Sequence, residues 1–221
     1  MWPFRRKSLV GLDLDASAVR MVQLQRDSTG ITLVRAGITE IAPWGDDPQL
    51  RQVHTVEALR QGLADWGIST RLAVCGLRGP EVVVRDFEFP GLAPEEIGGA
   101  VELEVSQICP FLAEESTLDY QVTQNTEQRT LGFWVAATNS LIENTRQLVS
   151  KAGLHCTLVD VAGLALLNLL ECQVQTGGDE EKETAADDPT AAARPPQASR
   201  PAILNLGDTG ATIAIVDRAG R

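Results

Sequence analysis

The sequence predicts an α/β chain: a mixed sheet with flanking helices, interrupted by a small α+β block. Three observations predict it. Two distant stretches, L-V-G-L-D-L-D-A-S-A-V-R-M-V-Q-L at 9–24 and P-A-I-L-N-L-G-D-T-G-A-T-I-A-I-V at 201–216, share an apolar entry, a small polar turn and an apolar exit. Each reads as a hairpin. Strand and helix patterns then alternate on both sides of residues 79–138, while inside that block the order changes to strand, helix, strand, strand. The expected divisions are therefore 1–78, the first part of a larger subdomain; 79–138, an inserted subdomain; and 139–172, the remainder of the larger one. A flexible linker at 173–200 and the start of a second subdomain at 201–221 follow.

After the first hairpin, I-T-L-V-R-A-G-I-T-E-I from Ile31 supplies a third antiparallel strand. Asp47 is placed to cap a helix with Pro48 in its first turn, Leu50, Val53, Leu59, Leu63 and Trp66 on one face, and Gly67 as its stop. L-A-V-C-G-L, from Leu72 to Leu77, fits a buried strand. E-V-V-V-R-D-F-E-F-P alternates toward Pro90, and Pro94 with Glu95 and Glu96 opens a second helix whose Ile97, Val101, Val105 and Ile108 recur at helical spacing. Gly98 and Gly99 within it cost about 1 kcal/mol each relative to Ala, which points to close packing there. Strands follow near Thr117–Gln124 and Thr130–Ala137. Ser140 and Glu143 have capping-box spacing for a third helix, which leads into a strand at His155–Val159 and an apolar helix at Val161–Cys172. Alanine, proline and acid at 173–200 bury too little to order the chain.

A net charge of −11 and a pI near 4.6 argue against nucleic-acid binding, which needs clustered Lys and Arg. Cys75, Cys109, Cys156 and Cys172 lack metal spacing and sit in apolar segments, as small core residues in a reducing cytoplasm do. His54 and His155 stand without partners at ligand spacing; His54 reads as an ordinary surface or boundary histidine and His155 as a structural one. Met1–Lys7 starts like a signal peptide, but Asp13 and Asp15 break the apolar run that would have to follow. Trp2, Phe4, Arg5, Arg6 and Lys7 then make a frayed terminus, with a weak membrane-surface role as the alternative.

A hairpin repeated at domain spacing offers two turns to one cleft. In the sugar-kinase, Hsp70 and actin superfamily such turns clamp the phosphates of ATP, so the expected plan is an actin-like, RNase H-like sheet. The degenerate nucleotide-binding residues would be Gly11, Asp13, Asp15, Ala16, Ser17 and Arg20 in the first turn. In the second they would be Asn205, Gly207, Asp208, Thr209 and Thr212. Asp15 replaces a small residue, Arg20 stands where Lys is usual, and Asn205 replaces an Asp. A carboxylate about 4 Å from a phosphate charge costs about 4 kcal/mol at an effective dielectric near 20, about a thousandfold in affinity. Magnesium held through Asp13, with Asp15 reaching its waters, would soften that penalty. Plain inherited turns, weak ATP binding without efficient hydrolysis, and a working ATPase are the competing readings.

Five ordered blocks carry a closer likeness: R-G-P-E-V-V-V-R-D-F-E-F-P (78–90), V-E-L-E-V-S-Q-I-C-P-F (101–111), L-D-Y-Q-V (118–122), V-A-A-T (135–138) and A-G-L-H-C-T-L-V-D-V (152–161). In order and spacing they resemble the PilM family of type IV pilus assembly proteins, over its N-terminal two-thirds. The resemblance implies a fold similar to FtsA with the insert near 79–138. It implies a cytoplasmic scaffold, bound peripherally at the inner membrane through other pilus assembly proteins, that holds the N-terminal tail of a PilN-like membrane protein. That tail would lie in a groove between the larger subdomain and the insert, where no short motif marks the lining residues. Self-association fits the implied platform, and no cofactor would be required, with ATP and Mg admitted in a full-length protein. An actin-like ATPase and a cytoplasmic component of a type II secretion system remain the alternatives.

Overall fold

The computed structural model describes residues 7–28, 30–176, 202–208 and 210–215, with side chains from Ser8 and, in the last helix, as far as Leu169. Trp2 to Arg6, Thr209 and the expected linker beyond Thr176 lie outside the described residues. Three strands open the chain: β1 (Lys7–Leu14), β2 (Ala18–Asp27) and β3 (Gly30–Glu40). They pair antiparallel, with Leu14 opposite Val19 across the first turn. β4 (Leu72–Leu77) and β8 (His155–Val161) add in parallel, giving a mixed five-stranded sheet in the order β3-β2-β1-β4-β8.

Strand alternation sorts this sheet into two faces. Val10, Leu12, Val19, Met21, Ala73 and Cys75 point to the main core, which α1 (Pro48–Asp65) and α3 (Asn139–Lys151) cover with Leu59, Leu63 and Val149. Gly76 alternates with Cys75 and turns the other way, where a Cβ would lie 3.5 Å from Ala162 of α4 (Ala162–Thr176). Asp13 and Arg20 alternate with Leu12, Val19 and Met21, so they also leave the core. The side chain of Asp47 accepts from the amides of Gln49 and Leu50, as expected of the α1 cap.

The buried face of α1 differs from the expected one. Thr55, Val56, Ala58, Leu59, Gly62 and Leu63 are buried, whereas Leu50, Val53 and Trp66 are exposed. Small residues set this contact: a Cβ on Gly62 would come within 2.1 Å of Met21 Cε, so the helix closes directly onto the sheet. That rotates the apolar stripe away from Leu50 and Val53.

Between β4 and α3 lies a second sheet, antiparallel, in the order β5-β7-β6. Its strands are β5 (Val82–Pro90), β6 (Ser116–Asn125) and β7 (Arg129–Thr138), and α2 (Pro94–Ile108) packs on one face. Phe87, Ile97, Val101 and Ala136 surround a fully buried Trp134, whose Nε1 donates to Glu104 Oε1 at 3.2 Å. Of the two α2 glycines, only Gly98 packs closely, 3.3 Å from the Tyr120 hydroxyl for an added Cβ; Gly99 meets open space. Ile108 ends the helix exposed.

Helix α3 starts earlier than the Ser140 cap predicts. Its cap is Thr138, which accepts from the Leu141 amide, because the helix begins directly where β7 ends. Glu143 is then too deep in the helix to reach back, and it pairs with Arg146 and Gln147 instead. Helix α4 runs through 173–176, so those four residues are helical rather than linker. The second expected hairpin forms as β9 (Ala202–Gly207) and β10 (Gly210–Ile215), a separate two-stranded sheet against α4.

Cys75 is buried, and Cys156 on the neighbouring strand places its Sγ 3.8 Å away as a free thiol. Burial among apolar groups pushes the Cys75 thiol up, and the Cys156 thiol beside it adds to the effect. Among the described residues no helix is long and apolar enough to cross a membrane.

Candidate functional site

The first turn is a tight one, closed by the Asp15 amide on the Ala18 carbonyl at 3.0 Å. Asp15 is 4% exposed, the most buried acid of the two turns. Its Oδ1 accepts the Ala16 amide at 2.9 Å, and the Ala16 carbonyl accepts Trp44 Nε1 at 3.4 Å. Both backbone groups of Ala16 are therefore engaged.

Two guanidinium groups hold the acids. Arg20, opposite Asp13 in the β1–β2 register, places Nη1 3.2 Å from Asp13 Oδ2 and 3.2 Å from Asp15 Oδ2. Arg78, directly after β4, pairs with Asp13 through Nη2 and stands 3.5 Å from Asp15 Oδ2 through Nη1. Burial lowers the pKa of Arg78 below the usual guanidinium value, although so strong a base keeps its proton at neutral pH. The two acids and two arginines thus compensate one another, which removes most of the repulsion expected of an isolated Asp15.

The second turn meets the first. Ser17 donates from Oγ to the Asp208 carboxylate, and a Cβ on Gly207 would lie 3.1 Å from Asp15 Oδ2 and 3.5 Å from Arg78 Nη1. Asn205 and Thr212, paired across the hairpin, line a cavity of about 490 Å³ with Asp15, Ala16, Arg51 and Thr145. Gly11 stays inside β1, paired with Val22, and takes no part in the turn. Thr209 lies outside the described residues. The sequence thus brings Asp13, Asp15, Ala16, Ser17, Arg20, Gly207 and Asp208 together, and Asn205 and Thr212 to the adjoining cavity.

Arg78 is the residue sequence reading missed. Its signal was present, a cation directly after a buried parallel strand and before Gly79, where strand ends face a cleft. In the first turn the groups that would meet a phosphate are already engaged. A phosphate site needs free amides and cations not already matched. Here the Ala16 amide, Arg20 and Arg78 serve carboxylates, and the Ser17 hydroxyl serves Asp208.

A second concavity, about 750 Å³, separates the insert from the main sheet. The face of the three-stranded sheet opposite α2 forms one wall, with Phe133, Val135 and Ala137 of β7 beside Gln121, Asp119 and Thr117 of β6. Val159 and Val161 of β8 with Leu164 and Leu167 of α4 form the other. Sequence periodicity could not locate it, because its walls come from segments brought together only by folding.

Solved structures are similar to this chain. A chain of the PilM–PilN type IV pilus biogenesis complex superposes with a TM-score of 0.64 at 21% identity, over 75% of this chain and 51% of that one. The cytoplasmic domain of EpsL, an inner membrane component of the type II secretion system of Vibrio cholerae, gives a TM-score of 0.49 at 10% identity, over 72% of this chain and 59% of that one. The chain thus spans about half the length of the PilM–PilN chain it matches. The family model for type IV pilus assembly protein PilM matches residues 11–186, and a match over most of the sequence means that this chain belongs to the PilM family.

Proposed function

We propose that this chain is a scaffold of type IV pilus assembly that holds the N-terminal tail of a PilN-like protein in the groove between the insert and the main sheet. The observation that carries the proposal is the groove itself: about 750 Å³, apolar along β7, β8 and α4, and open to an extended segment. The likeness to a chain from a PilM–PilN complex supports the choice of partner. Through such a tail the protein would sit at the inner membrane.

No nucleotide is required in this reading, and efficient ATP hydrolysis is not part of it. The occupied first turn supports that view. The test is calorimetry of the full-length protein with a synthetic PilN N-terminal tail, in the absence of nucleotide. Saturable binding is expected, weakened about tenfold or more when Val135→Arg places an unpaired charge on the groove wall. No heat of binding at high peptide concentration overturns the proposal.

A further inference from the structure

The groove between insert and main sheet carries charge of one sign. Asp119 of β6 and Asp160 of β8 stand on opposite walls, and among the described residues no Lys or Arg lines the space. Both acids have a fixed place. Asp119 Oδ1 accepts the Tyr120 amide at 2.9 Å, and Asp160 Oδ1 accepts the Val161 amide at 2.7 Å. Among the described residues neither acid forms an ion pair.

The walls also favour one backbone shape. Among the described residues β6 is an edge of the three-stranded sheet and β8 an edge of the five-stranded one, so each presents backbone groups that no described strand pairs. An extended segment can add to such an edge by main-chain hydrogen bonds, with alternate side chains entering pockets. Thr117, Asp119, Gln121 and Thr123 form a polar row on β6 beside the apolar row of β7. A segment lying there meets an apolar strip on one side and acid on the other.

We infer that the groove selects an extended tail in which apolar side chains alternate with at least one cation, Lys, Arg or a free α-amino group, set against Asp119 and Asp160. This deepens the tail-binding reading and rests on it. Cytoplasmic segments next to a membrane span are enriched in Lys and Arg, so an inner-membrane protein offers a tail of that sign. Two partly exposed pairs of this kind are worth about three- to tenfold in affinity at low salt.

The test uses the full-length protein, a synthetic PilN N-terminal tail, and the same tail with each Lys and Arg replaced by a neutral residue and its amine acetylated. Asp119→Asn and Asp160→Asn keep the oxygen that accepts the neighbouring amide, so the fold is retained, and thermal unfolding verifies this. The double Asn variant is expected to bind the native tail about three- to tenfold more weakly at low salt. It is expected to bind the neutral tail as the native protein does, and the difference is expected to shrink at high salt. Equal binding of the native tail by both proteins, with Val135→Arg still disruptive, overturns the charge inference alone. Failure of the native protein to bind any tail, or indifference of binding to Val135→Arg, overturns the groove reading beneath it.

Discussion

Ser17 donates a hydrogen bond to Asp208, tying the first turn to a turn 191 positions later. Beneath that bond Arg20 and Arg78 bracket the buried Asp15. The space between the two turns is filled by the protein's own charges. Four expected outcomes test this cluster and the packing and charge pairs of the helices.

Arg78→Ala leaves the 1%-exposed Asp15 side chain with a single guanidinium neighbour, and the expected loss is about 2–3 kcal/mol, below the full cost of an orphaned buried charge because Arg20 remains. Urea denaturation measures it. Asp15→Ala with Arg78→Ala should cost at least about 1 kcal/mol less than the two single losses together. Strict additivity would show that the two residues are not coupled.

Nucleotide binding should be gained rather than lost by removing an acid. Asp15→Gly frees the Ala16 amide and Arg78 Nη1, while Arg78 Nη2 stays on Asp13, so affinity for a fluorescent ATP analogue with magnesium should rise about tenfold or more in the full-length protein. Micromolar binding by the native protein that Asp15→Gly leaves unchanged contradicts the occupied-turn argument.

Gly62→Ala tests the packing of α1. Alanine favours a helix over glycine by about 1 kcal/mol, but overpacking a core costs about 1–3 kcal/mol. The new methyl would meet Met21 Cε at 2.1 Å and Thr39 Oγ1 at 2.6 Å, and Met21 is fully buried with little room to yield. A net loss of about 1 kcal/mol or more is expected in thermal unfolding. A rise in Tm would mean that the helix can lift without cost.

The Arg146 guanidinium, and after it the Gln147 amide, hold the Glu143 carboxyl down to about 2 by hydrogen bonding. A pKa lowered on folding stabilises the folded state above the ordinary carboxylate range, and that contribution fades as pH falls toward about 2. Glu143→Gln should therefore flatten the acid limb of stability against pH while leaving its slope near neutrality unchanged. Exposure of the pair keeps the effect small. Parallel acid limbs for both proteins would contradict it.

Local pattern carried far. The apolar entry and exit of residues 9–24 announced two strands, Asp47 announced a helix start, and the two polar turns announced two hairpins. Each of these depends on residues within a few positions of one another. The face of α1 did not follow, because Leu50 and Val53 match the helical period as well as Val56 and Leu59 do, and only the approach permitted by Gly62 distinguishes them. The cap of α3 failed similarly: Ser140 and Glu143 have the right spacing, but the continuity of β7 into the helix gives Thr138 the role.

By itself the sequence determined the family, the order of strands and helices, and the acids at the two turns, since these are written in short-range periodicity and in ordered blocks of residues. Tertiary structure alone decided that Arg78 would compensate those acids, that Ser17 would meet Asp208, and that two sheet edges would enclose a groove with Asp119 and Asp160 on opposite walls. The reason is that side-chain partners separated by dozens of residues are chosen by where rigid strands and helices end in space, and no local spacing records those endpoints.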